Sequence, residues 1–162
     1  MLDIELFIQK INKKSRLIGI DPGGKRIGIA ISDENKIVAT PYTTLFKENY
    51  SKLLSEIKKI FNENQIDGIV VGNPLNMDGS PGPSSQSARD FAKNLSKDVT
   101  EIITLWDERL SSQGAFNLSG EISINTSKKK SKLDENSAQF ILQGFLDFYH
   151  KNNTWYNIVK RL

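Results

Sequence analysis

Residues 16–33, RLIGIDPGGKRIGIAISD, constrain the fold more than any other stretch of the chain. Leu17, Ile18 and Ile20 reach Asp21 without a polar break, the pattern of a strand buried on both faces in the middle of a sheet. Pro22, Gly23 and Gly24 cannot comfortably continue a ladder, and the two glycines are expected to turn the backbone at positive φ. Ile27, Ile29 and Ile31 then recur at a period of two, with Gly28, Ala30 and Ser32 between them, which predicts a second strand hairpinned to the first. Asp21 therefore ends a central strand beside a turn carrying Lys25 and Arg26. Such a carboxylate either caps the turn or helps to hold cations and phosphates there.

The residue inventory narrows the chemistry. There is no cysteine, which excludes disulfides and thiolate nucleophiles and fits a reducing, cytoplasmic setting. The single histidine, His150, stands near the end of the chain and is expected on the surface near a helix end, so reactions must be run by carboxylates, hydroxyls, lysine or bound metal. A net charge of +3 permits a polyanionic partner without demanding one. The opening residues MLDIELFIQKINKKS carry Ile4, Phe7, Ile8 and Ile11 at helical spacing; Asp3 and Glu5 interrupt them, so they read as a short amphipathic helix and not as a signal peptide. No later stretch is long and apolar enough for a membrane span, and no membrane partner is expected.

At 162 residues one domain is expected. Residues 36–45 continue the hairpin as a third strand. Residues 47–64 change to a helical period, with Leu53, Leu54, Ile57, Ile60 and Phe61 on one stripe. A strand at 66–72, a Gly/Pro-rich loop at 73–83, a helix at 84–95 and a strand at 101–106 follow. A polar stretch running to Lys132 is expected to be mobile, and the last helix to start near Asp134. The order β-β-β-α-β-α-β-α predicts an α/β fold: a mixed five-stranded sheet flanked by helices, with right-handed crossovers after the antiparallel triplet. Residues 16–150 form the domain in this reading, 1–15 an N-terminal extension and 151–162 a tail.

In an open α/β sheet the ligand site lies beyond the carboxyl ends of the parallel strands, where Asp21 and the Asp107-Glu108 pair fall. Asp134 shares a helix face with Ala138, Ile141 and Leu142, the face that would dock on the sheet. Converging carboxylates without histidine or cysteine suit hard cations such as Mg²⁺ or Mn²⁺. Simpler roles stay open: Asp134 as a helix cap, Glu108 as an ion-pair partner of Arg109 or a lysine. Asn76, Met77 and Asp78 either rim the crevice or form a structural turn, and Trp106 is assigned to the core.

Four ordered strings, DPGGKRIGIA, VVGNPLNMDGSPGP, LWDERLSS and KLDENSAQFILQGFLDFY, resemble the YqgF/RuvX family of pre-16S rRNA nucleases, also described as Holliday-junction resolvase-like. The resemblance runs from about Arg16 to Tyr149 and implies a ribonuclease H-like fold. It implies a hydrolase that cuts phosphodiester bonds with bound Mg²⁺ or Mn²⁺, two ions by expectation, at the 5′ end of the 16S rRNA precursor in the cytoplasm. It also implies that Asp21, the acid of the WDER string and Asp134 are the catalytic and metal-holding residues; Glu108 is favoured for the middle role, with Asp107 as the alternative. Lys25, Arg26 and Arg109 are expected to contact phosphates. Lys128, Lys129, Lys130 and Lys132 are expected to form a mobile arm that closes over nucleic acid. Branched DNA is the alternative substrate, and the chain would act as a monomer or homodimer. A non-catalytic RNA-binding module and a nucleotide-binding phosphotransferase are the competing classes; the latter needs two such domains, for which the chain is too short.

Overall fold

The computed structural model describes residues 1–110 and 126–162, the side chains of 126–133, 155–157 and 160 lying outside that description. Helix α1 (Ile4–Lys10) precedes strands β1 (Arg16–Asp21), β2 (Arg26–Ser32) and β3 (Ala39–Phe46). Helix α2 (Tyr50–Glu63), strand β4 (Ile66–Asn73), helix α3 (Pro83–Asp98) and strand β5 (Ile103–Asp107) come next, then a 3₁₀ turn (Glu108–Leu110) and helix α4 (Thr126–Lys160). The strands form one sheet in the order β3-β2-β1-β4-β5, antiparallel through β3, β2 and β1 and parallel from β1 to β5. This is the mixed five-stranded sheet that the element order predicts.

Side-chain alternation along the strands separates two cores. Ile18, Ile20, Ile27, Ile29, Ile69 and Val71 point to one face, where Leu53 and Ile57 of α2 and Phe91 and Leu95 of α3 cover them. Leu17, Ala30, Val70 and Trp106 point to the other, under Ala138, Ile141, Leu142 and Phe145 of α4. Trp106 meets the rings of Phe145 and Phe148 edge-on at 5.8 and 5.4 Å, so its place is in the core.

Residues 1–15 also belong to this second core. Phe7 is fully buried with its ring 5.4 Å from that of Phe145, a burial worth roughly 1.5–3 kcal/mol. Leu2 bridges Thr104 in parallel, covering part of the β5 edge.

The structure corrects several local expectations. Among the described residues Gly79 is the glycine with positive φ, and neither Gly23 nor Gly24 needs that conformation. Gly23 is instead a close-approach position, since a Cβ there would lie 2.4 Å from the Arg26 carbonyl oxygen. Helix α4 starts at Thr126 and not near Asp134, so Lys128, Lys129, Lys130 and Lys132 fall in its first turns and not on a mobile arm. Lysine is a good helix former, and a polar run of it continues a helix that apolar residues anchor further on. Residues 111–125, the rest of the stretch expected to be mobile, lie outside the described residues. The helix also runs on beyond residue 150, so His150 is not near its end. Its Nε2 lies 2.8 Å from the Lys36 carbonyl oxygen and ties α4 to the β2–β3 turn. Lys36 itself is buried at φ 58°, and its ammonium donates to the carbonyls of Asn12 and Ser15. Burial pushes that amine below the usual lysine range, against the pull of Asp67 and Asp33.

Candidate active site

Three carboxylates are carried to one end of the sheet by the periodicities of their elements. Asp21 has the parity of Leu17 and Gly19, so it emerges on the α4 face at the end of β1. Glu108 follows Trp106 by two residues and comes out on the same side at the end of β5, although its own backbone is already 3₁₀. Strand β4 runs between them, and its Gly72 pairs with Trp106. A Cβ at Gly72 would stand 2.7 Å from Glu108 Oε1, so the missing side chain makes the room in which that carboxylate lies. Asp134 arrives from above. Its backbone carbonyl crosses Gly28, the ladder partner of Asp21, so closely that a Cβ there would overlap it. Arg26 Nε stands 3.4 Å from Asp134 Oδ2, and both side chains are about three-quarters buried.

These groups feel one another. Asp21 is pushed up to about 6, by burial first and then by the negative charge of Asp134, with Lys47 pulling the other way. Glu108 is pushed up to about 7, again by burial first and then by Asp21 and Asp107. Asp21 is thus the shared member of two repelling pairs. Among the described residues no three of His, Asp and Glu are grouped tightly enough to hold an ion as they stand. The donor set is nonetheless all carboxylate, in a half-buried setting where a positive charge would relieve both repulsions; it fits a hard divalent cation.

The structure separates Asp107 from Glu108. Asp107 Oδ1 accepts from the Arg109 backbone N–H and from Nε, both at 3.0 Å, and Oδ2 accepts from Nη2 at 2.7 Å. The Arg109 hydrogen bond holds the Asp107 carboxyl below its usual range. The ion pair considered for Glu108 therefore falls to Asp107. Arg109, expected at a phosphate, is matched by that acid within the fold; its Nη1 also donates to the Met77 carbonyl at 3.4 Å, joining the 75–81 loop to the 3₁₀ turn after β5. That loop is a structural turn: Asn76 Nδ2 donates to Ser80 Oγ, Asp78 Oδ1 accepts from the Ser80 N–H and Oγ, and Gly79 takes φ 87°. Lys25 is exposed on the hairpin turn. The side chains of Lys128, Lys129, Lys130 and Lys132 lie outside the described residues.

Sequence reasoning passes over Lys47. Its backbone N–H donates to the Lys25 carbonyl at 3.0 Å, and its ammonium rests 5.4 Å from the centre of the Phe91 ring. The signal for it is the hairpin register: Asp21 pairs with Gly28 and Gly28 with Thr44, so the residues after β3 must reach the Lys25 turn beside Asp21. Asn73 is likewise given no role by the string. Buried at the end of β4, it accepts from Ser85 Oγ at 2.6 Å and pins the first turn of α3.

A mixed sheet in this strand order, with acids at the ends of β1 and β5 and a long C-terminal helix laid across it, defines a ribonuclease H-like protein. Solved structures of the same fold include Thermus thermophilus RuvC in complex with a Holliday junction substrate, at TM-score 0.52 and 8% identity over 85% of this chain and 95% of that one. A second Thermus thermophilus RuvC structure aligns at TM-score 0.51 and 9% identity over 86% and 96%. The chain belongs to the family described as RuvX: Holliday junction resolvase, whose model matches residues 15–148. A Pelagibacter ubique relative is 51% identical over 148 residues, 91% of this chain and 98% of that protein. One from Rhodobacter capsulatus is 43% identical over 141 residues, 87% and 89%. Both carry the name "Putative pre-16S rRNA nuclease".

Proposed function

We propose that this protein is a divalent-metal-dependent nuclease that hydrolyses a phosphodiester bond of nucleic acid, with the 16S rRNA precursor as its substrate. The observation that carries the reading is the convergence of three acids at the open end of the sheet: the Asp134 backbone crosses Gly28, the ladder partner of Asp21, and Glu108 lies in the opening at Gly72 on the same face. Asp21, Glu108 and Asp134 would hold Mg²⁺ or Mn²⁺, two ions by expectation; the bound metal would supply an activated water and neutralise charge on the leaving oxygen. The chain's own groups do the rest. Lys47, whose charge acts on Asp21, and Lys25, exposed on the adjoining hairpin turn, would draw in and orient a phosphate. Arg26 holds the Asp134 carboxylate against the hairpin, and the half-buried floor limits bulk water around the acids.

The test is cleavage by the wild type and Asp21→Asn with Mg²⁺ or Mn²⁺, on an RNA carrying the 5′ junction of 16S rRNA and on a four-way DNA junction. Metal-dependent cutting of the RNA that Asp21→Asn loses supports the reading; cutting of the junction alone moves the substrate to branched DNA, and no cutting of either leaves a binding module.

Asp107 and Glu108 should not be equivalent. Glu108→Gln is expected to remove cleavage, whereas Asp107→Asn frees Arg109, loosens the 75–81 loop and keeps part of the activity. Initial rates of the two variants check this, and the reverse order would move the ligand role to Asp107. The four lysines that open α4 supply further charge on the helix bearing Asp134. Replacing all four with glutamine should weaken binding across sequences and flatten the log–log salt dependence by about 2–3 units, at about 0.7 per contact on a single strand. Isotherms at several salt concentrations read this slope directly.

A further inference from the structure

Strand β3 is an edge of the sheet, and it ends in Phe46, whose side chain is 60% exposed. A ring this open on a sheet whose other large residues are mostly covered is a feature to be explained. Phe46 pairs in register with Arg26, and the Lys47–Lys25 backbone hydrogen bond closes the same end of the hairpin. Gly24, Lys25, Arg26, Phe46, Lys47 and Glu48 together line a recess of about 520 Å³. That volume falls within the roughly 300–1,000 Å³ of small-molecule sites. Arg26 is taken up by Asp134, which leaves the two lysines against Glu48, so the charge of the recess favours an anion. Lys47 connects the recess to the acids: its ammonium is held over the Phe91 ring and acts on Asp21. An exposed aromatic face, cations around it and a carboxylate cluster next door have one common ligand in a stacked base with its phosphate.

We propose that Phe46, Lys25 and Lys47 form a subsite for one unpaired nucleotide adjoining the acid cluster, the base lying on the Phe46 ring and its phosphate held by the two lysines. A base inside a duplex has both faces covered by its neighbours and cannot reach the ring, so the subsite selects single-stranded substrate. The position of this nucleotide relative to the cut rests on the nuclease reading; its binding does not.

The experiment is equilibrium binding in EDTA. The probes are a short single-stranded RNA carrying one 2-aminopurine, its DNA counterpart, and the duplex of each. For the wild type, single strands should bind with a change in 2-aminopurine fluorescence that the duplexes do not give. Phe46→Ala should weaken single-strand binding about 5–100-fold and abolish the fluorescence change, with duplex affinity within about twofold. Phe46→Trp should keep both. Melting curves should show all three proteins folded alike, since the ring is exposed. Unchanged single-strand affinity and fluorescence in Phe46→Ala overturn the subsite, as does an equal loss on single strand and duplex. RNA and DNA behaving alike fits stacking, and a preference for RNA adds a contact to the 2′-hydroxyl. If the wild type cuts no substrate in Mg²⁺ or Mn²⁺ yet Phe46→Ala loses single-strand preference, the nuclease reading fails and the subsite stands. If the wild type cuts and Phe46→Ala keeps that preference, the subsite fails and the nuclease reading stands.

Discussion

Asp21→Asn is expected to abolish metal-dependent cleavage while leaving the metal-free protein as stable as the wild type or more so. In the absence of a cation Asp21 stands against Asp134 on one side and Glu108 on the other, and burial adds to the cost of charging each group. A carboxyl whose folded pKa is raised keeps its proton in the folded state at a pH where the unfolded chain has lost it. The folded state is therefore favoured at low pH, and the penalty grows as pH rises from about 4 to the folded values of about 6 for Asp21 and about 7 for Glu108. A tenfold change in a group's proton affinity is worth about 1.4 kcal/mol, and partial solvent access reduces this, so removing the Asp21 charge should return on the order of 1–2 kcal/mol at pH 8 and almost nothing at pH 4. Melting temperatures of Asp21→Asn, Glu108→Gln and Asp134→Asn in EDTA across that range measure the difference. Adding Mg²⁺ should raise the wild-type melting temperature, because a ligand that binds only the folded state stabilises it, and should not raise that of Asp21→Asn. The loss of cleavage in all three variants should exceed the roughly 10–100-fold that removal of an outer-shell partner costs. Full activity in all three, or unfolding of all three, would remove the case for a metal site.

What the sequence made legible was whatever repeats with a period. The isoleucines of the hairpin predicted its two strands and placed Asp21 at the end of the first, because apolar runs on either side of a glycine-rich turn leave little choice; the register needed coordinates. The stripe of α2 and the face shared by Asp134, Ala138, Ile141 and Leu142 were readable for the same reason. Close approaches were not readable. Nothing in the string marks Gly72 as the opening in which Glu108 lies, or Gly23 as the position crowded by Arg26, since a glycine that avoids a clash looks like one that provides a turn. The start of α4 was missed because polar residues carry no packing signal even where they are helical. The choice between Asp107 and Glu108 also needed coordinates, because the acid that is not aimed at Asp21 is identified by its bonds to Arg109.

Among the glycines of the described residues, Gly28→Ala should be the most damaging single added methyl group. A Cβ at this position would lie 1.9 Å from the backbone oxygen of Asp134 and 2.4 Å from its carbonyl carbon, and a helix backbone cannot rotate away as a side chain would. Ordinary contact begins near 3.4 Å, so α4 would have to lift from the sheet by more than an ångström at the point where it presents Asp134. Overpacking of this kind costs about 1–3 kcal/mol and more where backbone must move. For a domain of this size about 3 kcal/mol lowers the melting temperature by roughly 6–12 °C. Activity should fall further than stability. Asp134 would be displaced from Asp21 even in molecules that remain folded, and a misplacement of about 1 Å can cost 10²-fold in rate. Gly24→Ala is the control: a Cβ there meets nothing within 4 Å, although Gly24 lies on the same hairpin and borders the same recess. It should melt with the wild type. The two alanine variants are compared at a temperature where both are folded, by melting curve and by cleavage rate. A Gly28→Ala protein that melts and cuts like Gly24→Ala would mean that α4 does not press Asp134 against the hairpin, and the third acid would then have to come from elsewhere.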